Sequence, residues 1–321
     1  MQRFIIRRLL QSVLLLFLLT VAFFLLVHAI PGGPEQAYFS PRQTAAQKHA
    51  IIVELGLDKP LPVQYVKWIT AAMRGNFGRS YDSNLPVSVD IAPRIPNTIL
   101  LFSVALGFAL IMAVLLGVFS AVRQYSITDY IITVFAYFGI SMPVFFFAEV
   151  LQVIFGVQLQ ILPVFGRTSP EIEGVTGFDA FVDLARHLLL PALVLSLLFI
   201  AAWSRYLRAG MLDVLKQDYI RTARAKGLSS RVVLFSHALR NALIPLITVV
   251  ALAFGSIFGG AFVTESIFSW PGLGSRFIDA LNGRDYPIML ALLMLASTGV
   301  IVFNLIADVL YGVADPRIRY S

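Results

Sequence analysis

Residues able to carry chemistry are few in this chain of 321 residues, and they lie far apart. Cysteine is absent, which removes disulfides, thiolate metal sites and cysteine nucleophiles. The four histidines, His28, His49, His187 and His237, are scattered, and no His-Glu-x-x-His pair offers the spacing of a zinc site. No glycine-rich loop ends in Gly-Lys-Ser/Thr, so the chain lacks the usual cradle for the phosphates of ATP. Gly272-Leu273-Gly274 has two glycines without a following strand-helix pattern and reads as a turn. Three acids, Glu149, Glu265 and Asp308, fall in or at the ends of apolar runs. Charge at the centre of a bilayer is expensive unless it is paired or hydrated. Glu149, well inside its run, either lines a polar pathway that attracts a cationic ammonium group or is paired within the protein. Glu265 and Asp308 lie near run ends, where interfacial water is expected to satisfy them.

The elements that would position these residues are membrane spans. The chain is 58% hydrophobic and 13% charged, with mean hydropathy +0.81, a balance that no soluble globule of this length sustains. A crossing helix needs about 20 apolar residues for a core about 30 Å thick. Six runs qualify, at 9–30, 98–121, 130–157, 188–203, 245–265 and 288–311. The first, preceded by Arg7-Arg8, resembles a signal peptide but is longer than an h-region, so it is taken as an uncleaved span. The chain thus divides into residues 1–30 with the first span, a long loop at 31–97, and a five-span core at 98–321.

Loop charge orients these spans. With the N-terminus inside, segments 1–8, 122–129, 204–244 and 312–321 hold 14 Lys/Arg against 4 acids. The opposite segments, 31–97, 158–187 and 266–287, hold 11 of each. This asymmetry is the one expected when both termini are cytoplasmic. It also accounts for the net charge of +7 without a nucleic-acid partner. Ser141-Met142-Pro143 should kink the third span, because proline removes a backbone donor. The fourth span, short and containing Pro191, is either interrupted at a substrate pathway or part of a tilted helix that runs on to Arg205 and Arg208. In the loop 31–97, Thr44 can cap a helix over Ala45–Leu55 stopped by Gly56, and a second helix fits Val63–Met73. These helices can lie on the membrane lipid, form a lid, or dock an external partner.

The segment 204–244 carries 8 Lys/Arg and reads as a helical pair. Leu212, Leu215, Tyr219 and Ala223 recur at helical spacing on a first helix, and Val232, Phe235, Leu239 and Leu243 on a second. Between them Gly227 follows Arg224-Ala225-Lys226, a combination that ends a helix, and Ser229 or Ser230 can cap the next. Such a knob with an apolar ridge suits either a groove on another protein or an anionic lipid surface.

Asp218-Tyr219-Ile220-Arg221-Thr222-Ala223-Arg224-Ala225-Lys226-Gly227-Leu228, followed by His237-Ala238-Leu239-Arg240-Asn241-Ala242-Leu243-Ile244-Pro245, closely resembles the cytoplasmic EAA-type loop of ABC importer permeases. Within that superfamily the chain looks like the dipeptide, oligopeptide and nickel branch. Other stretches fit the same branch: Pro60-Leu61-Pro62-Val63-Gln64-Tyr65, Gly75-Asn76-Phe77-Gly78, Ser141-Met142-Pro143, Glu265-Ser266-Ile267-Phe268-Ser269-Trp270-Pro271-Gly272-Leu273-Gly274, Arg284-Asp285-Tyr286-Pro287 and Asp315-Pro316-Arg317. The resemblance implies an all-α, polytopic fold of six transmembrane helices, the type I ABC importer permease. It also implies a multi-pass protein of a bacterial or archaeal cytoplasmic membrane. Implied partners are a second homologous permease, two cytoplasmic ATPases that hold ATP and Mg, and an extracytoplasmic solute-binding protein; no cofactor is expected on this chain.

By the same resemblance, Tyr219, Arg221, Ala223, Gly227, Leu228 and Arg240 belong to the ATPase coupling element. Two departures matter. Arg221-Thr222-Ala223 stands where the superfamily pattern has Glu-Ala-Ala, so Arg221 calls for an acidic partner, and Leu239-Arg240 stands where it has Leu-Pro. Met142, Pro143 and Glu149 are the candidates for a translocation path. The resemblance implies short peptides moved by alternating access, with nickel chelates, glutathione or oligosaccharides as other cargoes. A proton-coupled transporter or channel acting alone is the rival of another class; it would usually show repeated halves or several titratable groups within the membrane, and neither is evident.

Overall fold

The computed structural model describes residues 2–29, 44–172, 174 and 176–314. The Asp315-Pro316-Arg317 motif and the early part of the long loop, 30–43, lie outside the described residues. Among the described residues the chain is helical, with no strand and a single bridge between Arg79 and Pro86. Packing divides it into two units. One comprises Met1–Ile99, Gly255–Ser266 and Pro271–Val302; the other comprises Leu100–Phe254, Ile267–Trp270 and Phe303–Ser321.

In the first unit, α1 (Gln2–His28) exposes Leu10, Val13 and Leu14, as a lipid-facing helix should, and buries Phe24 and Val27 near its C-terminal end. Thr44 and Gln47 form a capping box that starts α2 (Ala45–Leu55), which ends at Gly56 as expected. The next helix, α3 (Leu61–Ala72), starts two residues earlier than the pattern suggests, because Pro62 lies in the first turn, where a missing N–H costs no intrahelical hydrogen bond. Its inner face sets Tyr65 and Trp68 against Phe24, with ring centroids 5.4 and 5.8 Å away, and the Tyr65 hydroxyl lies 2.8 Å from Thr20 Oγ1. A short α4 (Val87–Ile91) leads through one 3₁₀ turn into α5 (Ile95–Val122). Later in the chain, α12 (Phe262–Ile267), α13 (Leu273–Gly283) and the first part of α14 (Tyr286–Ala314) complete the unit. Its core gathers Phe24, Val27, Val87, Ile91, Leu273, Ala280 and Ile288.

The second unit is built on α8 (Phe178–Leu215), 38 residues without interruption. At 1.5 Å per residue it is about 57 Å long, far more than a bilayer core requires. Of the two readings of the fourth span, the structure has the helix that runs on through Arg205 and Arg208; only the apolar window ends at 203. Pro191 sits inside it, buried. Against this helix pack α6 (Ile127–Ser141), where Gly139 brings the backbone close to Leu197 and Ala201, and α7 (Val144–Leu151), where Ala148 meets Leu190 and Val194. On α5 the residues Ala105, Ala109, Ala113, Gly117 and Ala121, four apart, form a buried stripe of small side chains that permits close helix approach.

The third span is broken rather than kinked. Helices α6 and α7 meet at an angle of 106° across Met142-Pro143, and α7 relaxes into a π-helical turn over Gln152–Gln158. The cause is local: the ring of Pro143 drives Met142 out of the helical region, to φ −77° and ψ 126°. Five helices among the described residues are each long and apolar enough to cross a membrane, and the bent pair makes six if it counts as one span. The fifth of the six expected runs also changes. It becomes a helix over Ser230–Gly259, and Glu265, assigned to its end, falls on α12.

Gly117 offers a direct test of the small-residue stripe. A Cβ there would lie 2.9 Å from the Ser204 carbonyl oxygen and 3.0 Å from Leu207, whereas one at Gly107 would meet nothing within 4 Å. Gly117→Val should therefore lower the stability of the detergent-solubilised protein by about 1–3 kcal/mol, seen as a lower thermal midpoint, and Gly107→Ala should not.

Candidate functional site

The exposed chemistry of the second unit concentrates on a knob at the end of α8. The helix stops at Leu215, and Gln217, in an extended conformation, starts α9 (Asp218–Ala225). Ile220 is fully buried and Ala223 nearly so, while Tyr219 is exposed and Arg221, Thr222 and Arg224 point to the surface. Leu212, Leu215, Tyr219 and Ala223 thus do not share one helical face: the break at Lys216-Gln217 assigns the two leucines to α8 and turns Tyr219 outward. Gly227 takes φ +79°, and its N–H donates to the Arg224 carbonyl at 2.9 Å, closing the helix as its sequence suggested.

Beyond the turn, α10 (Ser230–Val232) runs into a π-helical segment, Val233–Leu239, and then into α11 (Arg240–Gly255). The wider π turn shifts the packed face. Val233, Ala238, Ala242 and Leu246 are buried, at spacings of five, four and four. The stripe expected from a regular helix, Val232, Phe235, Leu239 and Leu243, instead holds the less buried positions, with Val232 and Phe235 exposed. Tyr219, Leu228, Val232 and Phe235 leave apolar side chains open among Arg221, Arg224, Lys226, Arg231 and Arg240, all exposed. The geometry supplies an apolar contact surface bordered by cations. Of the candidate coupling residues, Tyr219, Arg221, Gly227, Leu228 and Arg240 are accessible; Ala223 supports the knob from beneath.

A polar clamp absent from the sequence-based candidates fixes the base of α8. Both nitrogens of an Arg208 fork, Nε and Nη2, donate to the Asp129 carboxylate at 2.8 and 2.7 Å. Ser120 Oγ and the Tyr125 N–H donate to the same carboxylate. Asp129 is 3% exposed, so a single buried acid ties the α5–α6 turn to α8. No local pattern reveals a pair 79 residues apart; the only hints were a carboxylate at the start of an apolar run and an arginine inside a helix.

The first unit contains two further anchors. Glu265 has no exposed surface and accepts hydrogen bonds from Thr98 Oγ1 at 2.9 Å, Gly274 N at 2.7 Å and Ser275 N at 3.0 Å. The expectation that water would satisfy it fails because Gly272-Leu273-Gly274 is not a free turn. It is the N-terminus of α13, whose backbone donors wrap the carboxylate. Arg276, buried on α13, donates through Nε and Nη2 to Asp90 at 2.9 and 3.0 Å, and Nη2 also reaches Ser80 and Asp285. Burial opposes the charge on Arg276, but Asp90, Asp285 and Asp82 outweigh it and raise its pKa above the ordinary guanidinium value.

Glu149 lies on the exposed side of α7, one turn from the equally exposed Phe145 and Phe146, while Met142 and Pro143 form the break itself. Among the described residues no cluster of three His, Asp or Glu could hold a metal ion.

Comparison with known proteins supplies a context for this geometry. The family described as binding-protein-dependent transport system inner membrane component matches residues 113–320, and its N-terminal counterpart matches residues 1–102. Over the full length of both chains, the sequence is 43% identical to an oligopeptide transport system permease protein of Bacillus subtilis. It is 40% identical to a dipeptide transport system permease protein of Escherichia coli and 41% identical to a di/tripeptide transport system permease protein of Pseudomonas aeruginosa, again over full lengths.

The clamp at the base of α8 can be probed alone. Arg208→Ala leaves a buried carboxylate without its partner, a loss of about 3–5 kcal/mol. Arg208→Lys should restore only part of it, since an ammonium group cannot make the paired fork. Thermal unfolding of the purified protein checks both, and a lysine variant as stable as the parent contradicts the paired geometry.

Proposed function

The chain belongs to the family of inner-membrane components of binding-protein-dependent transport systems, the permease subunits of ABC importers, and we propose that it carries short peptides across the cytoplasmic membrane by alternating access. It is a multi-pass membrane protein, and ATP hydrolysis belongs to separate subunits. The peptide assignment takes its support from the full-length similarity to relatives named for oligopeptides, dipeptides and di/tripeptides.

The observation that carries the mechanism is the knob on the end of an uninterrupted α8. In the working complex this chain pairs with a second homologous permease above two ATPases, which bind ATP and Mg, and an extracytoplasmic binding protein delivers cargo. Closure of the ATPases on ATP presses on Tyr219, Leu228 and the surrounding cations, with Arg221 facing an acidic side chain of the ATPase. Because Ile220 and Ala223 anchor α9, the displacement passes into α8 instead of being absorbed in the knob. The Asp129–Arg208 clamp carries it on to α6 and α5. Loop charge supports a topology with both termini in the cytoplasm and the α6–α7 pair as one span. A re-entrant pair would send the 8 Lys/Arg of 204–244 to the opposite side, against the positive-inside rule. Backbone broken within an apolar pair needs a protein-lined or water-lined setting, so the path for cargo is assigned beside Met142, Pro143 and Glu149.

Gly227→Leu forces a branched side chain into a left-handed turn at a cost of about 1–2 kcal/mol, a factor of roughly 5–30 in the population of that turn. Uptake of a labelled dipeptide into vesicles should fall while membrane insertion is kept; uptake at the parental rate contradicts the role of the knob. Separately, an ATPase subunit with an inactive nucleotide site should abolish uptake, and uptake by this chain alone in liposomes would contradict the importer assignment.

A further inference from the structure

A cavity of about 290 Å³ in the first unit belongs to none of the roles described above. Phe24 and His28 from the last turns of α1 line it, together with Gln64, Lys67 and Trp68 of α3, and Phe77, Tyr81 and Tyr286. Three of the sequence motifs that the coupling account leaves unused meet here: the one containing Gln64, the one containing Asn76 and Phe77, and the one containing Tyr286 and Pro287.

Its position and chemistry select a ligand. The apolar span of α1 runs from Ile6 to His28, so a cavity walled by Phe24 and His28 sits where the hydrocarbon core gives way to headgroups. Beside it, α3 turns Val63 and Val66 outward, and Met73 at its C-cap is exposed too, an apolar side suited to the membrane interface. No carboxylate occurs among the described lining residues, and Lys67 forms no ion pair among the described residues. The lining therefore combines an uncompensated cation, the imidazole of His28, amide groups from Gln64 and Asn76, and broad aromatic faces. A phosphate suits the cation, and the glycerol and ammonium parts of a headgroup suit the rings, where a cation is attracted to the π face.

We propose that this cavity binds the headgroup of a phospholipid from the leaflet that the C-terminal end of α1 reaches, with the lipid phosphate at Lys67. Occupancy would brace α3 against α1 at the membrane surface.

The test uses the complete transport complex in vesicles of phosphatidylethanolamine and phosphatidylglycerol. A benzophenone amino acid replaces Phe77, and the photoproduct is identified by mass after alkaline removal of acyl chains. The expected adduct retains a glycerophosphate headgroup. Lys67→Glu should lower its yield roughly tenfold, the equivalent of one charge-assisted hydrogen bond, and Lys67→Arg should preserve it. Inorganic phosphate at millimolar concentration should not compete. An adduct to another protein would overturn the proposal in favour of a docking pocket. Displacement by inorganic phosphate, or equal yields from the parent and Lys67→Glu, would overturn it as well.

Discussion

The continuity of α8 is the constraint on which the rest of the molecule depends. One helix of 38 residues reaches from the apolar core of its unit to the knob, and nothing in its path, not even Pro191, divides it. In the proposed mechanism a helix about 57 Å long transmits a displacement only if its neighbours grip it. Two kinds of contact do so. Small residues on α5 and α6 let backbones approach closely, as where Gly117 meets Ser204 and Leu207 and Gly139 meets Leu197 and Ala201. The Arg208–Asp129 pair then pins the end nearest the knob. Van der Waals contact and buried hydrogen bonding, rather than apolar burial alone, join helices in lipid, since lipid tails are as apolar as leucine.

The first unit solves a related problem with polar groups. Its segments are distant in sequence: Thr98 meets Glu265, and Asp90 meets Arg276, 186 residues later. Each buried charge there is met by several donors or acceptors, the condition under which burying it is tolerable. Around these anchors α1, α3, α13 and α14 share one core, and the cavity beside α3 opens from the same assembly.

Much of this was legible in the sequence wherever the signal is local. The Thr44 cap, the Gly56 stop and the Gly227 turn each depend on a few adjacent residues, and the apolar spans on one contiguous run. Errors arose where tertiary context overrode periodicity. The apolar window of the fourth span closes at Arg205 and Arg208, so hydropathy alone does not decide between a short span and the continuing helix, because the ion pair to Asp129 cannot be seen locally. A π-helical turn moved the buried stripe of 233–246 by a residue, and a regular helical period cannot anticipate that. Pro143 suggests a kink, but its effect on Met142 produces a full break. Glu265 looked interfacial because its donors come from α13 and from Thr98. The proposed coupling residues rest on the resemblance alone, whereas no local signal points to the Asp129–Arg208 clamp beside them.

The central claim is that the exposed face of the knob, and not its buried face, contacts the ATPase. Because the chain has no cysteine, single engineered thiols report without background. Disulfide crosslinking in the assembled complex from Tyr219→Cys and Leu228→Cys, with thiols placed across the ATPase surface, is the most direct measurement. The account predicts crosslinks from both positions that change in yield with ATP, and none from Ile220→Cys. Crosslinking from Ile220→Cys with silence at the two exposed positions would contradict it.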